Sequence, residues 1–293
     1  MEQQSSQIQW FPGHMARTRR KITESLKLID MVVEVVDARI PLSSRNPEMD
    51  TLTAGKPRLV LLNKADLADE AATARWVAYY EKKGVKAHPV DCKSGRGLSK
   101  ISSMMRETLK DEIAVWQQKG MVGRPIRAMV AGIPNVGKSS FINRLSKNGK
   151  AKAEDRPGVT RSNQWFTLPD GVLLLDTPGV LWPKFEDQTV GLHLAFTGAI
   201  RDQILDCEEL ACELLGILKT EYPDRLAERF KLDSVESWQE QENYELLETV
   251  GRKRGMLVSG GEVNTERAAN TLLDEYRGGK LGRISLEFPP KEV

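Results

Sequence analysis

The run Gly132-Ile133-Pro134-Asn135-Val136-Gly137-Lys138-Ser139 constrains the fold of this chain more than any other part of it. It has the form G-x-x-x-x-G-K-[ST], whose glycines let backbone N–H groups turn inward around phosphate oxygens. Such a loop works between the carboxyl end of a strand and the amino end of a helix, where the helix adds favourable potential for an anion. Residues 126–131 read as that strand, and a helix is expected through about Leu145. Lys138 is expected on the outer phosphates and Ser139 on Mg²⁺. Asn135, Val136, Gly137 and Ser140 complete the nucleotide-binding run. The fold class that follows is α/β: a mostly parallel P-loop sheet with ligand loops at the carboxyl ends of its strands.

The rest of the chain agrees. Residues 31–36 are mostly β-branched and end in Asp37, residues 58–62 run into Asn63, and 85–90 read as a further strand. Residues 71–83 and 98–116 are expected helices, and Ile22, Leu26 and Ile29 are spaced for one helical face. Residues 117–125 look like a linker. Residues 164–168 and 172–175 flank Pro169-Asp170-Gly171, a hairpin signal. From about residue 201 the character turns helical, with helices expected at 208–219, 225–231, 240–254 and 265–277 and a strand signal at 284–288. The expected division is a basic arm at 1–25, a sheet domain at 26–200 and a helical domain at 201–293.

Two further motifs turn the phosphate loop into a guanine-nucleotide site. In Asn63-Lys64-Ala65-Asp66, the Asp66 carboxylate can accept two hydrogen bonds from the guanine N1–H and N2 amine. Adenine offers no such donor pair and would leave that carboxylate unsatisfied. Asn63 is expected to steady the acceptor edge of the ring, and the Lys64 stem to cover one face. Cys92-Lys93-Ser94 follows another strand and reads as the loop that backs the base. In Asp176-Thr177-Pro178-Gly179, Asp176 is expected in the Mg²⁺ shell and Gly179 N–H at the γ-phosphate. Thr160, between the phosphate loop and this motif, is the expected mobile metal-binding hydroxyl. The base motif precedes the phosphate loop, so the order is permuted. A parallel sheet tolerates this when the old ends lie close and the new break falls in a surface loop. Here 117–125 would join the old ends, and the switch would lead directly into the helical domain.

Composition excludes little but directs the rest. Lys and Arg number 43 against 41 Asp and Glu, so total charge names no polyanionic partner. The local clusters, Arg17, Arg19, Arg20 and Lys21, and Arg252, Lys253 and Arg254, are the candidate RNA contacts. Three cysteines without a C-x-x-C pair argue against a disulfide framework or structural zinc. No run approaches the ~20 apolar residues of a membrane span, and the polar start does not read as a signal peptide. A cytoplasmic protein with no membrane partner is expected.

At this point a resemblance can be named. WFPGHM (10–15), DARIPLSSRN (37–46), NKAD (63–66), GIPNVGKSS (132–140), PGVT (157–160), DTPGV (176–180) and LAFTGAI (194–200) resemble the circularly permuted GTPases of ribosome assembly, the ribosome biogenesis GTPase A (YlqF) family. The helical part matches less distinctively, chiefly through GRKRG (251–255). The resemblance implies a GTP-hydrolysing assembly factor for the large ribosomal subunit that binds rRNA in a nucleotide-dependent way. The alternative is a regulatory GTPase switch that binds a protein partner without RNA. Many small GTPases carry a water-orienting glutamine after D-x-x-G; here Val180 stands there and cannot make a hydrogen bond. The family's implicated histidine maps onto His14, and His193 is a rival on position alone. The likeness to related GTPases with a hydrophobic residue at the Val180 position also implies K⁺ beside the phosphates, bound with help from Asn135.

Overall fold

Strand β1 (Met31–Asp37) is buried along its whole length, and four of its seven residues are valines. Burial on both faces is what a central parallel strand requires. In the computed structural model, which describes residues 20, 22–149, 153–154, 164–177, 179, 187–200, 202 and 205–290, β1 pairs in parallel with β2 (Arg58–Asn63) and β4 (Ile126–Ala131). β2 continues to β3 (Lys86–Pro89), also parallel. On the other side β4 pairs in parallel with β7 (Val172–Asp176). β6 (Trp165–Thr167) is antiparallel to β7, and β5 (Ala153–Glu154) antiparallel to β6. The order across the seven-stranded sheet is β3-β2-β1-β4-β7-β6-β5. The strand that feeds the phosphate loop thus stands mid-sheet although it is fourth in the chain.

This order makes the permutation a matter of topology. The chain must pass from the edge at β3 to the middle at β4, over β2 and β1. It does so through α4 (Ile101–Thr108) and α5 (Lys110–Gln118), followed by turns up to Pro125. The continuous helix expected over 98–116 is broken at Leu109, which has φ −102 and ψ 21. Leu109 is fully buried whereas α5 buries none of its residues, so the break is where the chain leaves the core.

The sheet unit closes with short helices. α1 (residues 22–26) carries Ile22 and Leu26 onto Met129, Leu173 and Leu175. α2 (Glu48–Leu52) was not foreseen. α3 (Glu70–Lys82) begins where the Asp69 side chain accepts from Ala72 N–H at 2.7 Å, a cap worth ~1 kcal/mol. Its Trp76 and Tyr80 pack on Val36, Val60 and Leu62. α6 (Lys138–Gly149) follows the phosphate loop. No described helix is long and apolar enough to cross a membrane.

Contacts divide the chain after Glu186, earlier than the 200/201 boundary expected from sequence. The second unit, Asp187–Leu286, holds α7 (Gln188–Phe196), α8 (Cys207–Glu221), α9 (Pro223–Phe230), α10 (Asn243–Lys253) and α11 (Thr265–Arg277). α7 belongs here because Ala195 and Phe196 are buried in its core with Leu214, Trp238 and Leu272, and Arg277 donates to both their carbonyls. The strand signal at 284–288 forms no ladder. Ile284 fills the helical core, and the chain then rejoins the sheet unit from Glu287 onward. There the Glu287 carboxylate accepts from Leu42 N–H at 2.7 Å, Ser43 N–H at 3.0 Å and the Ser43 hydroxyl. Its carbonyl accepts from Trp76 Nε1 at 3.0 Å, so side-chain and turn partners replace a strand neighbour.

Candidate nucleotide site

The loop after β4 needs its glycines for reasons visible in the structure. Gly132 has φ +151, and a Cβ there would lie 2.4 Å from the Val35 carbonyl of β1. Gly137 has φ +101, and its Cβ would meet Asn63 Nδ2 at 2.2 Å. Asn135 also adopts a positive φ, 61°, a conformation asparagine tolerates better than most residues. Lys138 folds back over the loop, its Nζ donating to Gly132 O at 2.9 Å and Ile133 O at 2.8 Å. Burial pushes its pKa down to about 8, with Asp176 opposing the shift. Burial likewise raises the Asp176 carboxyl, opposed by Lys138. A phosphate among these groups would add negative charge beside the buried ammonium and favour its charged form.

The Asp176 end of β7 is held to this loop. The Thr177 hydroxyl donates to Val130 O at 2.6 Å, and a Cβ on Gly179 would lie 2.7 Å from Lys138 Nζ. Between them is a cavity of about 380 Å³ lined by Asn135, Lys138, Ser139, Asp176 and Gly179, with Pro134 and Thr177. Gln164 also lines it, a residue that sequence reasoning missed. No motif marks it; it stands there because the antiparallel pairing of β6 with β7 lets Asp176 N–H donate to the Gln164 carbonyl at 3.1 Å. Ser139 and Asp176 offer hard oxygen donors, which suit Mg²⁺. Among the described residues no group of three or more His, Cys, Asp or Glu converges, so a cation here would take most of its ligands from phosphate and water.

The base motif leaves β2 two strands away. The reading from sequence placed Asn63 on the ring's acceptor edge, and the structure gives that side chain a further task. The Asn63 side chain is buried, donating from Nδ2 to Val136 O at 2.6 Å and accepting at Oδ1 from Cys92 N–H at 3.0 Å. The amide thus binds three loops together with one of its two N–H donors and its oxygen, and the second N–H is left over for a ring acceptor. Lys64 has φ 59 and reaches Asp37 Oδ2 at 2.9 Å. Asp66 is half-buried, and among the described residues its carboxylate has no partner. The backing loop is shaped by Asp91, which accepts from Lys93 N–H at 2.8 Å and Ser94 N–H at 3.1 Å. Arg144 of α6 donates to the Ser94 carbonyl. Burial, then the Asp91 charge, pushes the Cys92 thiol up to about 12, so Cys92 contributes its backbone and not a nucleophile.

The remaining expected residues divide sharply. His14, Arg17, Arg19, Lys21, Thr160 and Val180 lie outside the described residues. Arg20 is exposed and pairs with Glu24 at 3.0 Å. His193 is buried in α7, in the helical unit, with its ring 6.4 Å from that of Phe196. At the end of α10, Lys253 pairs with Asp233 at 3.1 Å and Arg254 with the buried Glu275, which Arg229 also holds. Arg252 is exposed, and among the described residues its side chain has no partner.

Comparison with known proteins decides what these loops serve. A family model described as "50S ribosome-binding GTPase" matches residues 127–247, and one described as "RsgA GTPase" matches 51–186. The chain is 48% identical to the ribosome biogenesis GTPase A of Bacillus cereus, over 96% of this chain and 94% of that protein. It belongs to the ribosome biogenesis GTPase A family. The family's Thermotoga maritima protein is 31% identical over 96% of this chain and 95% of its own length. The mouse mitochondrial ribosome-associated GTPase 1 is 36% identical over 95% of this chain and 89% of its own. A GDP-bound YlqF structure superposes with a TM-score of 0.64 at 28% identity, covering 92% of this chain and 99% of that one. The GNP-bound YlqF of T. maritima gives 0.62, over 94% and 100%. The chain is thus a circularly permuted ribosome biogenesis GTPase, and its chemistry is hydrolysis of GTP.

Proposed function

We propose that this GTPase binds the rRNA of an immature large ribosomal subunit in a nucleotide-dependent way. The observation that carries the reading is the 48% identity to a ribosome biogenesis GTPase A along nearly the whole chain, helical unit included. In this reading Asp66 takes the guanine donors, Lys64 covers the ring and the Cys92–Lys93–Ser94 loop backs it. The backbone of residues 135–140 and the Lys138 ammonium hold the phosphates. Ser139, Asp176 and Thr160 would hold Mg²⁺, and Asn135 would hold K⁺, which would add positive charge at the phosphates. Val180 cannot orient water, so His14 does so, with His193 as the alternative. The Gly179 and Thr160 contacts with the γ-phosphate bias the chain that leads into the helical unit, a switch of the order–disorder kind. Arg17, Arg19, Arg20, Lys21 and the Arg252–Arg254 cluster meet RNA phosphates.

Co-sedimentation with large subunits and their precursors, at a series of salt concentrations, tests this. GTP-loaded protein is expected to pellet with precursors more than GDP-loaded protein, with log affinity falling linearly in log salt. Binding that is absent, or that survives removal of RNA, would favour a protein-binding switch.

A further inference from the structure

Asp37 ends β1 directly opposite Asn63, the first residue of the base motif, and the Ala38 N–H donates to the Asn63 carbonyl at 2.8 Å. Its carboxylate is almost completely buried. It accepts from Arg39 Nε at 2.9 Å, Arg39 Nη2 at 2.8 Å and Arg39 N–H at 3.1 Å, and Arg39 is itself buried. A two-pronged guanidinium would already satisfy a buried carboxylate. Yet a second cation arrives: Lys64 Nζ lies 2.9 Å from Asp37 Oδ2. Lys64 reaches it from φ 59, a conformation uncommon for lysine and one that persists only where the surroundings hold it. The base of Asp37 is fixed too, because its N–H donates to the Ser44 hydroxyl at 2.9 Å. The carboxylates nearby do not compete for Lys64. Glu34 pairs with Arg45 and Arg58, as does Asp50, while Asp66 holds no cation among the described residues.

We propose that Asp37 is a positioning residue for guanine binding: clamped by Arg39, it anchors the Lys64 ammonium and so lays the four-carbon stem of Lys64 across the base site. A lysine stem free in solvent samples many rotamers, and ordering it on binding costs entropy. A stem already anchored at its tip presents a fixed apolar face to a purine. The proposal rests on the base-site reading given above, and deepens it by assigning a role to the first two charged residues of the DARIPLSSRN segment.

The test is a double-mutant cycle on fluorescent GDP and GTP affinity, with Asp37→Asn, Lys64→Ala and the double variant. Asp37→Asn is expected to weaken GDP and GTP by the same factor, about tenfold, the scale of one charged hydrogen bond. Lys64→Ala should do the same, and the double variant should bind no more weakly than either single one. If the losses multiply, or if Asp37→Asn binds like wild type, the proposal is overturned. Should Asp37→Asn fail to fold because Arg39 is left without a counter-ion, Asp37→Asn with Arg39→Met takes its place in the cycle. Asp66→Asn separates the two failures. Its amide donates to the oxygen that xanthine carries where guanine has N2, so it should prefer xanthosine triphosphate. Unchanged preference for GTP in that variant would overturn the base-site reading itself and the proposal with it.

Discussion

Asn63 shows what a single side chain does when three loops must keep one register. Its amide joins the phosphate loop at Val136 to the backing loop at Cys92, and Gly137 leaves it the room. Gly137→Ala is expected to lose nucleotide affinity by ~10–100-fold, since the new methyl strikes Nδ2 and the backbone is held at positive φ. Titration with GDP measures it, and retained affinity would show that Asn63 can move away without loss. The Asp37 carboxylate predicts a second behaviour, in acid. Burial alone would raise its pKa, but Arg39 and then Lys64 pull it well below the usual carboxylate range. A depressed folded-state pKa gives stability that is full above the unfolded value, 3.8, and is lost as pH falls through the folded one. Melting curves between pH 6 and pH 3 should therefore fall less steeply below about pH 4 for Asp37→Asn with Arg39→Met than for wild type. Equal slopes would mean that the pair does not couple folding to protons.

At the scale of elements, α10 separates two kinds of arginine that look alike in sequence. Arg254 holds the buried Glu275 together with Arg229, whereas Arg252 points to solvent unpaired among the described residues. Arg254→Glu is expected to destabilise the helical unit by about 1–2 kcal/mol, well short of a broken buried pair because Arg229 still holds both Glu275 oxygens. Arg252→Glu should leave the melting temperature in place and weaken subunit binding, flattening the log–log salt slope by about 0.7–0.9 for each lost contact. Thermal melts and salt-series sedimentation read the two effects apart, and a slope unchanged by Arg252→Glu would return that residue to ordinary surface. The tail element has its own signature. Glu287→Ala should speed hydrogen exchange at the Leu42 and Ser43 amides, which its carboxylate now holds.

For the whole molecule the chain path matters most. The helical unit is inserted into the sheet unit's sequence, leaving it after Glu186 and returning at Glu287, so it is tethered at two points. One tether is the chain that follows Asp176–Gly179; the other is Glu287, held at Leu42 and Ser43 in the loop after β1 that also carries Arg39. In the function proposed above, hydrolysis draws on a water-orienting group other than Val180. His14→Ala is expected to cut the ribosome-stimulated rate by ~10²–10⁴-fold while GTP affinity holds, the range for a positioned acid–base group. His193→Ala, assayed alongside at equal nucleotide loading with K⁺ present, decides the assignment: loss of stimulation there, with His14→Ala active, would move the role to α7.

Much of this was legible in the residues alone. The phosphate loop, its strand and helix, the base motif at the end of β2 and the hairpin around Pro169-Asp170-Gly171 are local signals, each set by glycine conformation, β-branching or a short spacing, and the structure has them in place. The reversed order of the motifs also needed no coordinates. What the tertiary structure decided is where one side chain's partner lies far away in the chain. Asn63 binding Val136, Lys64 meeting Asp37 and Glu287 on Ser43 have no local signature, because each depends on which distant segments become neighbours. The same reason explains the misplaced boundary and the strand that did not form. The sequence of α7 is apolar enough for either unit, and residues 284–288 have the composition of a strand, but only packing determines whether a core or a ladder is there to receive them.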